Sequence, residues 1–292
     1  FISEFFSINR KYFVMTTTTF LVILFAAILH AVWNALVKGG SDKLLQMAAV
    51  SAGHIPFAIV ALYYVPPLNF TCWPNLLLGC IFHFGYQIFL VESYKKGDLS
   101  QVYPIARASA PLMVTIITFL FLGEKFGLPE LLAIFLIIAG LLSTVGVRIQ
   151  HVPKNAAISA LITGCFIASY SLVDGYGGRI GESPVAYYCW LSIINGIGMI
   201  IYCRFVSPGT TSKIIGSAKW IFLGGGFASF LAYSLVMWAF FNAPIAIVMA
   251  IRETSIIFAF IIGIIFLKEK LTTAKLLGTL ITVSGIIVLR TL

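Results

Sequence analysis

Ten stretches of mostly apolar residues follow one another along the chain, separated by short polar connections such as "GGSDK", "KKG", "GEKFG" and "RIQHVPK". Their approximate ranges are 17–38, 44–65, 75–95, 99–122, 128–147, 155–175, 184–205, 218–241, 243–267 and 272–291. A helix that crosses the hydrocarbon of a bilayer needs about 20 such residues. Backbone groups in lipid must also be satisfied within their own segment. The pattern therefore predicts ten transmembrane helices. Strands of a membrane barrel would be about half as long and would alternate polar with apolar positions. The predicted class is an all-α integral membrane protein, with the lipid bilayer as its first partner.

Composition supports this class. The chain is 60% hydrophobic and 10% charged, with a mean hydropathy of +1.02. Soluble domains run at about 45–50% apolar and about 25% charged, so no separate soluble domain is expected. The net charge of +9 calls for no nucleic acid, because the lysines and arginines fall mostly in the short loops. Cys72, Cys80, Cys165, Cys189 and Cys203 are scattered without a C-x-x-C and read as small apolar residues. Residues 1–14 form an N-terminal extension of doubtful status that precedes Met15. No small-residue cleavage site follows the first apolar run, which is expected to be a retained span.

Charge also predicts orientation. Loops after the odd-numbered spans hold Lys38, Lys43, Lys95, Lys96, Arg148, Lys154, Arg204, Lys213, Lys219, Lys268, Lys270 and Lys275. The remaining loops and the C-terminus hold Lys125, Arg179 and Arg290. Positive loops stay cytoplasmic, so this bias places both termini outside.

The chain repeats itself. At an offset of 145 residues Arg107 falls on Arg252, Glu124-Lys125 on Glu269-Lys270, and Gly140 on Gly285. "FLGEKFGLPELL" then superposes on "FLKEKLTTAKLL" without a gap. At a shorter offset of 136, "WNALVK" pairs Leu36 with Leu172 and Val37 with Val173 of "SYSLVD". The expected domains are two five-helix halves, 15–150 and 151–292. Five crossings per half make the second half inverted relative to the first. That architecture belongs to secondary transporters, whose substrate site lies near the midplane between the halves.

The candidate chemistry sits at that depth. Arg107 lies about 13 Å into the fourth span at 1.5 Å per residue, and Arg252 occupies the matching depth in the ninth. A charge there costs at least about 2.5–3.5 kcal/mol and must face the bundle interior or a water-filled cavity. Two readings are open: the arginines line a central cavity and attract a carboxylate or phosphate, or they only form ion pairs between helices. Glu92, Glu253 and Asp174 are the carboxylates available as partners. Pro104 and Pro111 each remove a helical hydrogen bond and make the fourth span a candidate hinge. His30, Trp33 and Asn34 share one helix face, as do His83, Tyr86 and Gln87, both at the i, i+3, i+4 spacing. These faces either line a substrate path or make interhelical hydrogen bonds. Their histidines, with an unperturbed pKa of about 6.5, would also allow coupling to protons. Glu124-Lys125 and Glu269-Lys270 mark span ends and offer material for a gate. "GGGFAS" and "GYGGRIG" follow no strand and make no nucleotide loop. No Walker motif or H-E-x-x-H is present, so no ATPase, protease, metal or cofactor is expected.

The halves, with their closing strings "FLGEKF…LLAIFLIIAG" and "FLKEKL…LLGTLITVSG", resemble the EamA-type transporters of the drug/metabolite transporter superfamily. "HAVWNALVKGGSDKL", "GDLSQVYPIARASAP" and "IRETSIIFA" are similar to one bacterial subgroup of them. The resemblance implies gradient-driven movement of small metabolites without ATP, around a cavity built from spans 1, 3, 4, 6, 8 and 9. It also implies cytoplasmic termini, opposite to the charge bias. The expected function is secondary transport of a small polar, anionic or zwitterionic metabolite across the cytoplasmic membrane. A lipid-linked carrier flippase of the same fold and a non-transporting assembly or sensory protein are the alternatives.

Overall fold

The computed structural model describes residues 15–38, 42–96, 99–121, 124–144, 152–265 and 272–291, apart from the side chains of residues 38, 94 and 99–103. The described residues are helical between short connections. The first half holds α1 (Thr17–Lys38), α2 (Lys43–Tyr64), α3 (Trp73–Lys96), α4 (Leu99–Phe121) and α5 (Leu128–Ser143). The second half holds α6 (Lys154–Ile180), α7 (Pro184–Val206), the short α8 (Thr210–Ile215), α9 (Gly226–Asn242), α10 (Ile245–Arg252), α11 (Ser255–Ile265) and α12 (Thr273–Thr291). Among the described residues nine helical segments are long and apolar enough to cross a membrane, and α5 is a shorter apolar helix.

Apolar periodicity sets most of these edges, and local chemistry sets the rest. The Asp42 carboxylate accepts the Leu45 amide and caps α2. Pro184 begins α7, where a missing amide costs nothing. The large side chains that point outward suit a lipid solvent: Phe205 is 81% exposed, and Phe119, Phe121, Phe135 and Leu280 are exposed as well.

Three segments depart from the expected spans. The sixth was expected to end at residue 175, but α6 runs to Ile180. Its glycines interrupt the apolar run while letting neighbours close in. A Cβ on Gly177 would come within 2.5 Å of the Tyr187 ring, and one on Gly175 within 2.5 Å of Ile245. The eighth span enters through a π-helical turn, Ile221–Gly225, before α9 begins. There α9 and α2 touch backbone to backbone, since a Cβ on Gly226 would lie 2.7 Å from Gly53 Cα. The ninth span, expected unbroken over 243–267, is divided at Glu253–Thr254 into α10 and α11. The turn is tightened by bonds from the Glu253, Thr254 and Ile256 amides to the carbonyls three residues earlier, a 3₁₀ pattern.

Packing between the halves is reciprocal. Helix α3 packs on α6 and α9 on α1, α4 packs on α6 while α10 and α11 pack on α1, and α2 packs on α7 as α5 does on α12. The last pair is antiparallel. A Cβ on Gly140 would meet the Gly278 carbonyl at 2.7 Å, and one on Gly285 would meet the Ala133 carbonyl at 2.7 Å. Adding 145 to 140 and 133 gives 285 and 278, so the two contacts exchange under the sequence repeat. Either Gly140→Val or Gly285→Val should destabilise the protein by about 1–3 kcal/mol, the usual cost of overpacking. Thermal unfolding in detergent measures it; equivalent positions should give similar losses, and two unchanged midpoints would contradict this interface. At the far ends, Arg290 of α12 donates to the Thr17 hydroxyl of α1 at 2.8 Å, which puts the start of α1 and the end of α12 on one face.

Candidate functional site

Between the halves lies a cavity. Helices α1, α2, α3, α6, α7, α9 and α10 all contribute to its wall. Of the residues singled out from the sequence, His30, Trp33, His83, Tyr86, Gln87 and Arg252 line it. Asn34 does not; its amide turns back to the His30 carbonyl at 2.8 Å. Tyr170, Tyr188, Tyr233 and His54, none of them a candidate from the sequence, line it too. One of these was marked in the repeat: at the offset of 136, Tyr170 takes the place of Asn34.

The two arginines part company. Arg107 is 4% exposed and does not line the cavity. Its Nε donates to Glu253 Oε2 at 2.8 Å, its Nη2 to the Ser255 hydroxyl at 3.0 Å, and its Nη1 lies 3.2 Å from His30 Nε2. The Trp33 indole approaches the other His30 nitrogen at 3.3 Å. Both neighbours are donors, so a neutral imidazole can accept from only one of them at a time. Arg252 is 2% exposed. It makes no hydrogen bond or ion pair to any described residue, and its buried Nε lacks a partner. Its Cζ lies 5.7 Å from the centre of the Tyr233 ring, a cation–π distance.

The repeat explains the difference. Arg107 reaches across to Glu253 and Ser255; the mirrored contacts of Arg252 would need Ala108 and Ala110 to accept hydrogen bonds. "RASA" replaces "RETS", and the second arginine is left unpaired.

A second polar group backs the cavity wall. Asp174 is fully buried, six residues before the end of α6 rather than at its end. His83 Nε2 lies 2.7 Å from its Oδ2, the Tyr233 hydroxyl donates to the same oxygen at 2.9 Å, and the Tyr187 hydroxyl reaches Oδ1 at 3.4 Å. A Cβ on Gly79 would lie 2.6 Å from Oδ1, so only glycine leaves room for the carboxylate against α3. The His83 ring stacks on Tyr170, with centroids 4.0 Å apart.

The remaining candidates lie elsewhere. Glu92 sits on the surface of α3 beside Lys96 at 3.2 Å and Lys95 at 3.8 Å, away from either arginine. Pro104 and Pro111 lie inside α4, which is helical from Leu99 to Phe121; the broken helix is in the other half, at Glu253. Glu124 stands between α4 and α5, where burial pushes its carboxyl above the usual range and Thr118 and Arg179 partly offset this. Arg179 caps the end of α9, donating to the Phe240 and Ala243 carbonyls. Glu269 and Lys270 lie outside the described residues. Among the described residues no group of three or more His, Cys, Asp or Glu side chains could hold a metal.

Comparisons with known proteins agree with this architecture. A crystal structure of another protein shares the fold with a TM-score of 0.69 at 15% identity, covering 94% of this chain and 96% of that one. A search of curated proteins finds no match. The family model described as the EamA-like transporter family matches residues 15–146 and 154–291.

Proposed function

The chain belongs to the EamA-like transporter family, and from that premise we propose that it carries a small anionic or zwitterionic metabolite across the cytoplasmic membrane by alternating access. Its family and its apolar helices make it a multi-pass membrane transporter of the drug/metabolite superfamily. The finer reading is that its halves are inverted repeats that rock about the cavity between them. The reciprocal packing of α5 on α12 supports it, because antiparallel contacts that exchange under the repeat imply a two-fold axis across the helix pair.

The unpaired Arg252 carries the substrate assignment. A buried guanidinium with no carboxylate partner is costly, and an incoming anion would relieve that cost with charge-assisted hydrogen bonds. Trp33, Tyr86 and Tyr170 in the same wall suit a ligand whose body is apolar or aromatic. Benzoate combines both features and serves as a probe. In calorimetric titration of the purified protein, Arg252→Gln should weaken benzoate binding about tenfold to a hundredfold. That corresponds to the roughly 1.5–3 kcal/mol of hydrogen bonds to a charged group. In proteoliposomes the same variant should lose benzoate counterflow. Equal affinity in wild type and Arg252→Gln overturns the assignment.

A further inference from the structure

We propose that Asp174 and His83 bind a proton whose affinity is linked to the anion on Arg252, so that one anion and one proton cross together. This rests on the anion-binding role of Arg252 and adds the coupling ion to it.

The link is physical. Tyr233 stands between the two charged centres, its ring face 5.7 Å from Arg252 Cζ and its hydroxyl 2.9 Å from Asp174 Oδ2. His83 faces the cavity and holds the same carboxylate oxygen at 2.7 Å, so a proton entering from cavity water meets the pair there. Arg107 and Glu253 cancel each other. With His83 neutral, the empty site holds Arg252 and Asp174 and has no net charge. An anion alone makes it −1; an anion with a proton on the Asp174–His83 pair returns it to zero. In a medium of low dielectric the charged intermediate is costly, so the neutral forms are favoured for reorientation. The proton is taken from water on the side to which the cavity is open and returned to water on the other. Binding linkage is reciprocal: an anion raises proton affinity by neutralising Arg252, and a proton tightens anion binding.

Other titratable groups face this pair from every side. Cys80 comes from α3 and Tyr188 from α7, both within electrostatic reach of Asp174. Tyr187 of α7 and Tyr233 of α9 hydrogen-bond to it, Tyr170 of α6 stacks on His83, and His54 of α2 lies within electrostatic reach of His83. Thiols and phenols, with ordinary values of about 8.5 and 10, are mostly protonated at neutral pH. That leaves Asp174, His83, His54 and, in the same cavity wall within electrostatic reach of Arg252, His30 as groups to separate by mutation.

The test is calorimetric titration of benzoate into the full-length purified protein across the neutral range, where benzoate stays ionised. Binding should tighten as pH falls, approaching about tenfold per pH unit for one linked proton. Asp174→Asn and His83→Gln should each flatten that slope, and His54→Gln and His30→Gln should each keep it. Tyr233→Phe, which removes the bridging hydroxyl alone, should reduce it and guards against loss of folding in the Asn variant. A pH-independent wild type, or a slope that survives in Asp174→Asn and disappears in His54→Gln or His30→Gln, overturns the coupling while leaving the anion site intact. Benzoate affinity indifferent to Arg252→Gln overturns both.

Discussion

Glu253→Ala should cost the protein about 3–5 kcal/mol of stability, the penalty for removing one member of a buried ion pair. Both partners are almost wholly buried, and the Arg107 Nε–Glu253 Oε2 contact is 2.8 Å. Without the carboxylate, the guanidinium keeps the Ser255 hydroxyl and the His30 ring as neutral neighbours. Denaturation in mixed micelles measures the loss. A buried pair is often replaceable by well-packed apolar residues at little cost, so Arg107→Met with Glu253→Leu should recover most of it. A single variant as stable as wild type would show that the pair contributes nothing. A double variant worse than either single would show that the pair does more than neutralise charge.

Asp174→Ala should be the second most damaging change, at roughly 2–5 kcal/mol. The carboxylate receives three side chains, His83, Tyr233 and Tyr187, and side-chain hydrogen bonds within membranes average about 0.6 and reach about 1.7 kcal/mol each. Asparagine keeps an oxygen for these donors, so Asp174→Asn should retain most of the stability that alanine loses. The same unfolding assay compares them. Equal stability of the Ala and Asn variants would mean that these contacts contribute little.

Much of the architecture was legible in the sequence because lipid imposes a simple rule on apolar length. The edges of α1 and α7 agree with the expected spans to within a residue, since their apolar runs stop at polar or proline residues. Asp174 was misplaced because glycines lower the hydropathy of the last turns of α6 while improving their packing; a hydropathy reading registers only the first effect. The break in the ninth span carries no proline, and its cause is tertiary: Glu253 is turned toward Arg107 in the opposite half. The pairing of Arg107 with Arg252 at a fixed offset suggested equal roles for both. The difference was present in "RASA" against "RETS", but only the cross-half contact reveals which residue each arginine needs. The tyrosines of the cavity wall carried little signal, because an isolated Tyr in an apolar run reads equally well as an interfacial or a core residue.

The contact between α5 and α12 has one more consequence. Positions 140 and 285, and likewise 133 and 278, exchange places across it, with glycine meeting a backbone carbonyl each time. Such a surface is self-complementary, as in an isologous dimer, where one patch serves both partners. It would fit equally well between two copies of a single half inserted in opposite directions. Joining the halves in one chain preserves that handshake while allowing each to diverge, so that one arginine could keep a carboxylate and the other could lose it.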